Sequence, residues 1–498
     1  MPAAQHYLAF DLGAESGRII LGTLEDNRLL LDEIHRFPTG HSVVNGTWRW
    51  DVVRIADELR AGCKKAAALG KPIASVSCDS WGVDYVWLTD GEPMLTLPYH
   101  YRDTRNLGML KKATALAPAE LIFAETGIQF MEINTVYQLL GDVLHRKAIV
   151  DIATQFVLIG DYINYLFSGV VAAEESLAST TQIYNPVRQA WSTVLQDKLG
   201  IPARVFPKVV PSGTVLGPLT AELGDSPVWE GTKVVASCSH DTGAAVAAVP
   251  AEDSKAEDWA YLSSGTWSLL GIESATPIIN AESEKYNFTN EQGYGHTTRF
   301  LKNIVGLWVV QNCRRAWLEA GHEFSYEELA QMAEAAAPLK SLIHPDSPRF
   351  QRSDNMVEAV RDYCRQTGQP VPDDEGATIR CVLESLALLY GKTVTNMQAA
   401  TGRSLRRLHI VGGGCRNILL NQLTADATGL EVLAGPQEAT AVGNILIQAT
   451  ALGHLADRDA QRAVVRNSFL VQRFSPRAEL AAAWEAARTR FEALPLLD

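Results

Sequence analysis

The chain opens on apolar residues spaced as strands. Residues 6–12 (HYLAFDL), 18–24 (RIILGTL) and 29–37 (LLLDEIHRF) are β-compatible runs separated by short polar turns, which predicts a β-meander. From 51 to 69 the apolar positions take helical spacing, and 73–79 reads as a further strand. Residues 105–200 predict mostly helices and loops. Strand patterns return at 233–241 and 259–274, and a second helix-rich stretch follows. At 408–417 a buried strand runs into a Gly-rich turn and a helix. From Ser475 onward, Pro476 is expected at the first helical position of an Ala/Glu/Arg-rich tail helix. A meander followed by strands alternating with helices predicts an α/β architecture with a mixed sheet covered by helices.

A chain of 498 residues exceeds what one core usually organises, so two large domains are expected. The segments 10–25 and 261–274 both read strand, small-residue turn, strand. The echo suggests duplicated domains, 1–242 and 243–498, facing each other across a cleft. The boundary is set where the chain turns Gly/Ala-rich after Ser239-His240-Asp241. No fixed repeat period or heptad array points to a purely structural role.

Composition narrows the function. Apolar residues make up 47% and charged residues 20%, as in ordinary globular proteins. A formal net charge of −13 argues against a nucleic-acid or anionic-membrane binder, which needs a basic field. It does not exclude an anionic ligand held by backbone N–H groups and a cation. The N-terminus enters a strand without a basic leader, and no apolar run approaches a membrane span, so a cytoplasmic protein is expected. The seven cysteines form no C-x-x-C pair. Cys78 and Cys238 read as core residues, whereas Cys364 and Cys381 flank a Pro-rich connection and could approach each other, with a bridge left open.

The common nucleotide, hydrolase and zinc motifs are absent: no P-loop, no G-x-G-x-x-G after a strand, no G-x-S-x-G elbow and no zinc spacing. In their place stand three turns of small residues. Asp11 ends a strand and opens Leu12-Gly13-Ala14-Glu15-Ser16-Gly17-Arg18, a turn able to aim N–H groups at phosphate, or simply a hairpin with a solvated Asp. Ser263-Ser264-Gly265-Thr266 repeats that design with added hydroxyls. Val411-Gly412-Gly413-Gly414-Cys415 lets a flat ligand approach the backbone, or makes a tight strand-to-helix turn. Asp241, ahead of TGAAVAA, reads locally as a helix N-cap.

In this order the three turns resemble the two phosphate loops and the adenosine loop of the sugar kinase, Hsp70 and actin superfamily. SHDTGAAVAA (239–248), GATIRCVLESLALLYGKTVTNM (376–397) with mid-helix Glu384, and 408–449 narrow the resemblance to the FGGY carbohydrate kinases nearly end to end. The strings EIHRF (33–37), DSWGVDYVWL (79–88), YRDTR (101–105), GIQFMEINTVYQL (127–139) and LKNIVGLWVVQ (301–311) are similar, within that family, to members acting on L-rhamnulose. Trp81-Gly82 stands where glycerol kinases carry a charged pair.

The resemblance implies two actin-like, ribonuclease H-like domains and transfer of a phosphoryl group from ATP, with Mg²⁺, to a sugar hydroxyl. Asp241 would be the catalytic base, and His240, Gly82, Trp81 and Asp84 would contact the sugar. Trp81 could offer an apolar face to the methyl group of a 6-deoxy sugar, or simply pack in the core. Asp11 would hold Mg²⁺ through water, with Asp241 a second candidate. Ala14, Glu15, Ser16, Gly17, Arg18 and Thr266 would cradle phosphates. Asn303 and Gln311 would lie near the nucleotide, and Gly413 and Gly414 would flank adenosine. Arg18 could instead be a surface residue of its hairpin. Glu15 departs from a phosphate loop by adding negative charge, and would face solvent or assist the cation. The implied partners are a small sugar and ATP, with no nucleic acid or membrane, in a monomer or small homo-oligomer. The competing readings are a kinase for L-fuculose or L-xylulose, an actin- or Hsp70-like ATP-driven binding protein, and a sugar sensor without turnover.

Overall fold

The computed structural model describes residues 4–497 apart from 91, 221, 222, 224, 225, 253–256 and 352. The chain divides into two compact units, the first made of Met1–Ser254, Glu273–Leu301 and Glu438–Phe469, the second of Lys255–Ile272, Lys302–Gln437 and Leu470–Asp498.

In the first unit the predicted meander forms. Strand Gln5–Leu12 pairs antiparallel with Ser16–Glu25, which pairs antiparallel with Arg28–Pro38. On its other edge Gln5–Leu12 pairs parallel with Ser75–Ser80, followed by Lys233–Ala236 (parallel) and Thr214–Pro218 (antiparallel), six strands in all. The parallel step needs a crossover. Helix Val52–Ala67 provides it, started by the Asp51 side chain accepting from the Arg54 N–H and burying Val52, Ile55, Leu59 and Cys63.

Another helix of the first unit comes from far along the chain. Helix Ala439–Ala451 packs against strands Gln5–Leu12 and Ser75–Ser80 and against the short helix Asp241–Ala247. It is apolar almost all round, as a buried helix must be, yet carries two polar residues aimed at the sheet. Gln448 accepts from Ser75 Oγ at 2.7 Å and donates to the Leu8 carbonyl at 3.1 Å, and Asn444 donates to Asp79 Oδ2 at 2.6 Å. A Cβ at Gly443 would overlap the Ala244 carbonyl, so only glycine lets the two helix backbones meet. A separate apolar cluster in the same unit gathers Tyr85, Trp87, Val136, Leu140 and Phe156 among the helices of the 105–200 stretch.

In the second unit the hairpin Trp259–Ser264 and Trp267–Ser274 pairs through its first strand, in parallel, with Arg407–Val411, which pairs parallel with Glu431–Ala434. The 27-residue helix Glu375–Thr401 holds Glu384 in its buried middle, where Arg380 Nε donates to it at 2.6 Å and the Leu339 N–H at 2.8 Å.

The tail departs from expectation. Pro476 is not at a helix start: strand Gln472–Phe474 comes first, and the helix runs from Ala481 to Glu492 after a short 3-10 turn. Asp426 explains the delay, because it takes the Arg477 backbone N–H at 2.9 Å and its Nε at 3.0 Å and holds that residue extended. All seven cysteines are buried and free, including Cys364 and Cys381, which do not form a bridge. Among the described residues no helix is long and apolar enough to cross a membrane.

Replacing Gly443 by Ala forces apart the helix that covers the sheet and the helix that starts at Asp241. Overpacking of this kind costs about 1–3 kcal/mol. Gly443→Ala is therefore expected to lower the urea midpoint of unfolding without changing its slope; an unchanged midpoint would mean that the two helices are not in contact.

Candidate active site

Strand register assembles the first group of site residues. Asp11 lies directly opposite Arg18 on one neighbouring strand and beside Asp79 on the other. Arg18 is ion-paired with Asp11 and, at 2.5 Å, with Glu438, and 17% of its side chain is exposed. It is a partly buried bridge between carboxylates rather than a free surface cation. The turn ahead of it is closed by the Gly13 N–H donating to the Ser16 carbonyl at 2.9 Å, and is tied to Thr39, whose Oγ1 donates to the Gly13 carbonyl at 2.8 Å. Ala14 and Ser16 are half-buried, Gly17 is buried, and Glu15 is exposed.

Asp79 was not among the residues singled out from the sequence. It is fully buried; Oδ2 accepts from Asn444, while Oδ1 has no hydrogen-bond partner. Burial, and then the neighbouring Asp11 and Asp241 charges, push this carboxyl well above the usual range against the pull of the Asn444 bond. The DSWGVD string contained it, but only the parallel register beside Asp11 gives it a site position.

Asp241 stands at the first position of helix Asp241–Ala247, with His240 as N-cap. Asp241 is thus not the N-cap. Its Oδ1 accepts from the Thr242 N–H at 2.6 Å and from Thr242 Oγ1 at 3.1 Å, and 32% of the side chain is exposed. Desolvation, helped by Asp11, raises this carboxyl, while His240 and the Thr242 bonds oppose the rise. His240 is buried, with Nε2 3.4 Å from Asp241 Oδ1 and Nδ1 3.1 Å from Arg299 Nη2.

The candidate sugar contacts adjoin this pair. The Ser80 N–H donates to the Ser239 carbonyl at 2.8 Å, and Ser80 bridges to His240. Trp81 is buried and packed on Trp50, ring centroids 4.1 Å apart. Half-buried Gly82 has the Thr180 side chain beside it. Val83 has φ 71°, a left-handed conformation costly for a β-branched residue, and its carbonyl accepts from Thr135 Oγ1 at 2.8 Å. Asp84 faces inward. It accepts from Trp50 Nε1 (2.5 Å), Trp81 Nε1 (3.1 Å), the Tyr101 N–H (3.1 Å) and Gln138 Nε2 (3.0 Å), and burial outweighs these bonds to raise it to about 6. With four donors on it, Asp84 organises the tryptophans, and a direct sugar contact would have to displace one of them.

In the second unit, Thr266 lies half-buried in the hairpin turn, and its carbonyl accepts from the Trp308 N–H at 3.2 Å. The Leu307 N–H bonds the Gly265 carbonyl at 3.0 Å, which brings the start of helix Trp308–Glu319 and Gln311 to the same turn. Gln311 Oε1 is buried without a partner, an acceptor suited to a ligand N–H. Asn303 lies half-buried on strand Thr297–Val305. Gly412, at φ 84°, turns the chain out of its strand; Gly413 is exposed with open space where a side chain would stand, and Gly414 is packed onto Ser264. Only Gly413 offers an open face to a ligand.

Among the described residues no group of three or more His, Cys, Asp or Glu side chains is placed to hold a metal alone. Asp11, Asp79 and Asp241 nevertheless interact through their charges, and Asp79 Oδ1 lacks a partner. That donor set fits Mg²⁺, which keeps waters and takes one or two carboxylates together with substrate phosphates.

The N-terminal domain of the FGGY family of carbohydrate kinases matches residues 6–248, and the C-terminal domain of the same family matches 260–452. A rhamnulokinase of Bacteroides thetaiotaomicron is 40% identical over 490 residues, 98% of this chain and 99% of its own. One from Pectobacterium carotovorum is 40% identical over 505 residues, 99% and 97% of the two chains. A solved gluconate kinase from Lactobacillus acidophilus superposes with a TM-score of 0.79 at 16% identity, covering 98% of this chain and 97% of its own. Plasmodium falciparum glycerol kinase with ADP gives 0.79 at 14%, covering 99% of each. These two structures establish the fold: two domains of mixed sheets and helices, as in the actin-like sugar kinases.

Because Glu15 is exposed, Glu15→Ser is expected to change the KM for ATP and the Mg²⁺ dependence by no more than about twofold, as for other exposed charges. A larger change in an ATP and Mg²⁺ titration would place Glu15 at the phosphates or the ion.

Proposed function

The chain belongs to the FGGY family of carbohydrate kinases and is an ATP-dependent sugar kinase, and we propose that it phosphorylates the 1-hydroxyl of L-rhamnulose, giving L-rhamnulose 1-phosphate and ADP. The observation that carries the chemistry is the Asp241–His240 pair: a carboxyl with raised proton affinity, partly exposed, one oxygen held by Thr242, beside the 80–82 segment. The rhamnulokinases that match this chain nearly end to end support the choice of sugar. Trp81 supports it less directly, because its face is already packed on Trp50.

In this reading the sugar O1 attacks the γ-phosphorus, the bond to the bridging β,γ oxygen breaks, and ADP leaves with that electron pair. Asp241 orients the hydroxyl and accepts its proton, a task for which a carboxyl raised by burial is better matched than an ordinary one. The Gly82 backbone binds the sugar beside the edge of the His240 ring, with Trp81 and Asp84 shaping the wall behind. Asp11, through water, and Asp241 would hold Mg²⁺, which supplies neutralisation of phosphate charge. The turn 14–18 and Thr266 cradle phosphates, with Arg18 leaving one of its carboxylates to do so. Asn303, Gln311 and Gly413 lie along the nucleotide, with Gly414 behind Gly413 against Ser264. In functional terms residues 1–242 supply sugar contacts, the first phosphate turn and the base, and 243–498 supply the nucleotide contacts. We place the reaction in the cytoplasm, where ATP is available, by a monomer or small homo-oligomer.

An ADP-coupled assay with MgATP against L-rhamnulose, L-fuculose, L-xylulose, D-xylulose and glycerol tests the reading. Preferred turnover of L-rhamnulose is expected, with Asp241→Asn losing at least about 10²-fold in kcat while still binding ATP. Preference for a different ketose would overturn the substrate, and a fully active Asp241→Asn would overturn the base.

A further inference from the structure

We propose that Arg299 and Glu291 are positioning residues that hold His240 in its Nε2–H tautomer, so that this N–H fixes one oxygen of Asp241 and leaves the other for the sugar hydroxyl. The inference rests on Asp241 being the base.

The two residues sit on a hairpin within the first unit. Strands Thr289–Gly293 and Thr297–Val305 pair antiparallel with Glu291 directly opposite Arg299. Arg299 is 0% exposed, an unusual state for this residue, and its Nε donates to the Gln292 carbonyl at 3.0 Å. A Cβ at Gly293 would stand 2.7 Å from Thr297 Oγ1 and 3.1 Å from Arg299 Cγ, so glycine there clears the space for the guanidinium stem.

An arginine has donors and no acceptor. The 3.1 Å bond between Arg299 Nη2 and His240 Nδ1 therefore requires Nδ1 to accept, which puts the imidazole proton on Nε2. Glu291 Oε2 competes for the same nitrogen at 3.3 Å but lacks hydrogen-bond geometry, and it lies 3.1 Å from Arg299 Nη2. Burial would raise Glu291; the Arg299 guanidinium and then the adjacent His240 ring overcome that and hold it below the usual carboxylate range. The other charged groups nearby are Asp241 on the same helix, Glu174 (which accepts from the Ser239 N–H), and Asp11 and Asp79, which act on Asp241.

The far side of the ring shows the consequence. Nε2 is 3.4 Å from Asp241 Oδ1, the oxygen that already takes the Thr242 N–H and hydroxyl. With Nε2–H that N–H faces Oδ1, which the two Thr242 bonds already hold, and Oδ2 is left to accept the substrate proton. In the other tautomer an Nε2 lone pair would face the carboxylate and turn it.

The decisive experiment reads the tautomer. In wild-type protein labelled with ¹⁵N-histidine, the His240 ring signals, assigned by their loss in His240→Gln, should show Nε2 protonated and Nδ1 bare. Protonated Nδ1 would overturn the proposal whatever sugar is used. Kinetics add a second readout. Arg299→Met/Glu291→Gln removes the donor without leaving a lone buried ion, and should lower kcat for sugar phosphorylation by about ten- to a hundredfold, the worth of a hydrogen bond involving a charged group, with the KM for ATP unchanged. Arg299→Lys, which keeps a donor, should recover most of the loss. A folded double variant with wild-type kcat would also overturn it. Failure of wild type to use L-rhamnulose would count against the substrate, and the ring signals would still decide this proposal.

Discussion

The register of strand Gln5–Leu12 with its two neighbours is the constraint on which the rest depends. It sets Asp11 between Arg18 and Asp79, and so gathers charge at the end of a buried sheet. Burying charge costs several kcal/mol per ion unless each is paired or hydrogen-bonded. Arg18 offsets Asp11, Asn444 takes one oxygen of Asp79, and proton uptake relieves the remainder. A one-residue slip of either pairing would turn Asp11 or its partner to the opposite face of the sheet.

That constraint reaches helix Asp241–Ala247 through packing. Helix Ala439–Ala451 brings Asn444 to Asp79 and Gln448 to the backbone of Gln5–Leu12, and at Gly443 it meets the helix that begins with Asp241. One buried helix thus sets the height of Asp241 above the sheet while satisfying the sheet's polar groups. The Glu291–Arg299 hairpin approaches His240 from another side. Asp241 is therefore positioned from two directions by segments remote in sequence. Preorganisation of this kind supports phosphoryl transfer, where positioning and charge stabilisation supply most of the rate.

Much of this was legible along the chain. The meander, the helix Val52–Ala67, the strand Arg407–Val411 and its glycine turn follow from local periodicity and turn chemistry, which the final structure leaves in place. The small-residue turns and the Ser239-His240-Asp241 string marked the candidate site. Asp79, Asn444, Glu291 and Arg299 were not marked, because nothing local distinguishes a buried polar strand or helix residue from a solvated one. Pro476 misled for a related reason: a good first helical position lost to the long-range bonds between Arg477 and Asp426.

By itself, then, the sequence determined the α/β class, the order of strands and helices, the family, and the turns where phosphate and sugar chemistry was to be sought. All of these rest on interactions between residues close in the chain or on motifs contiguous in it. Tertiary structure alone decided which carboxylates adjoin Asp241, that Arg18 lies between Asp11 and Glu438, that Asp84 is occupied by four donors, and that Arg299 meets Nδ1 of His240. Those outcomes are set by strand register and helix packing between separate segments, up to 420 residues apart for Arg18 and Glu438, and by the dielectric burial they create, neither of which has a local signature.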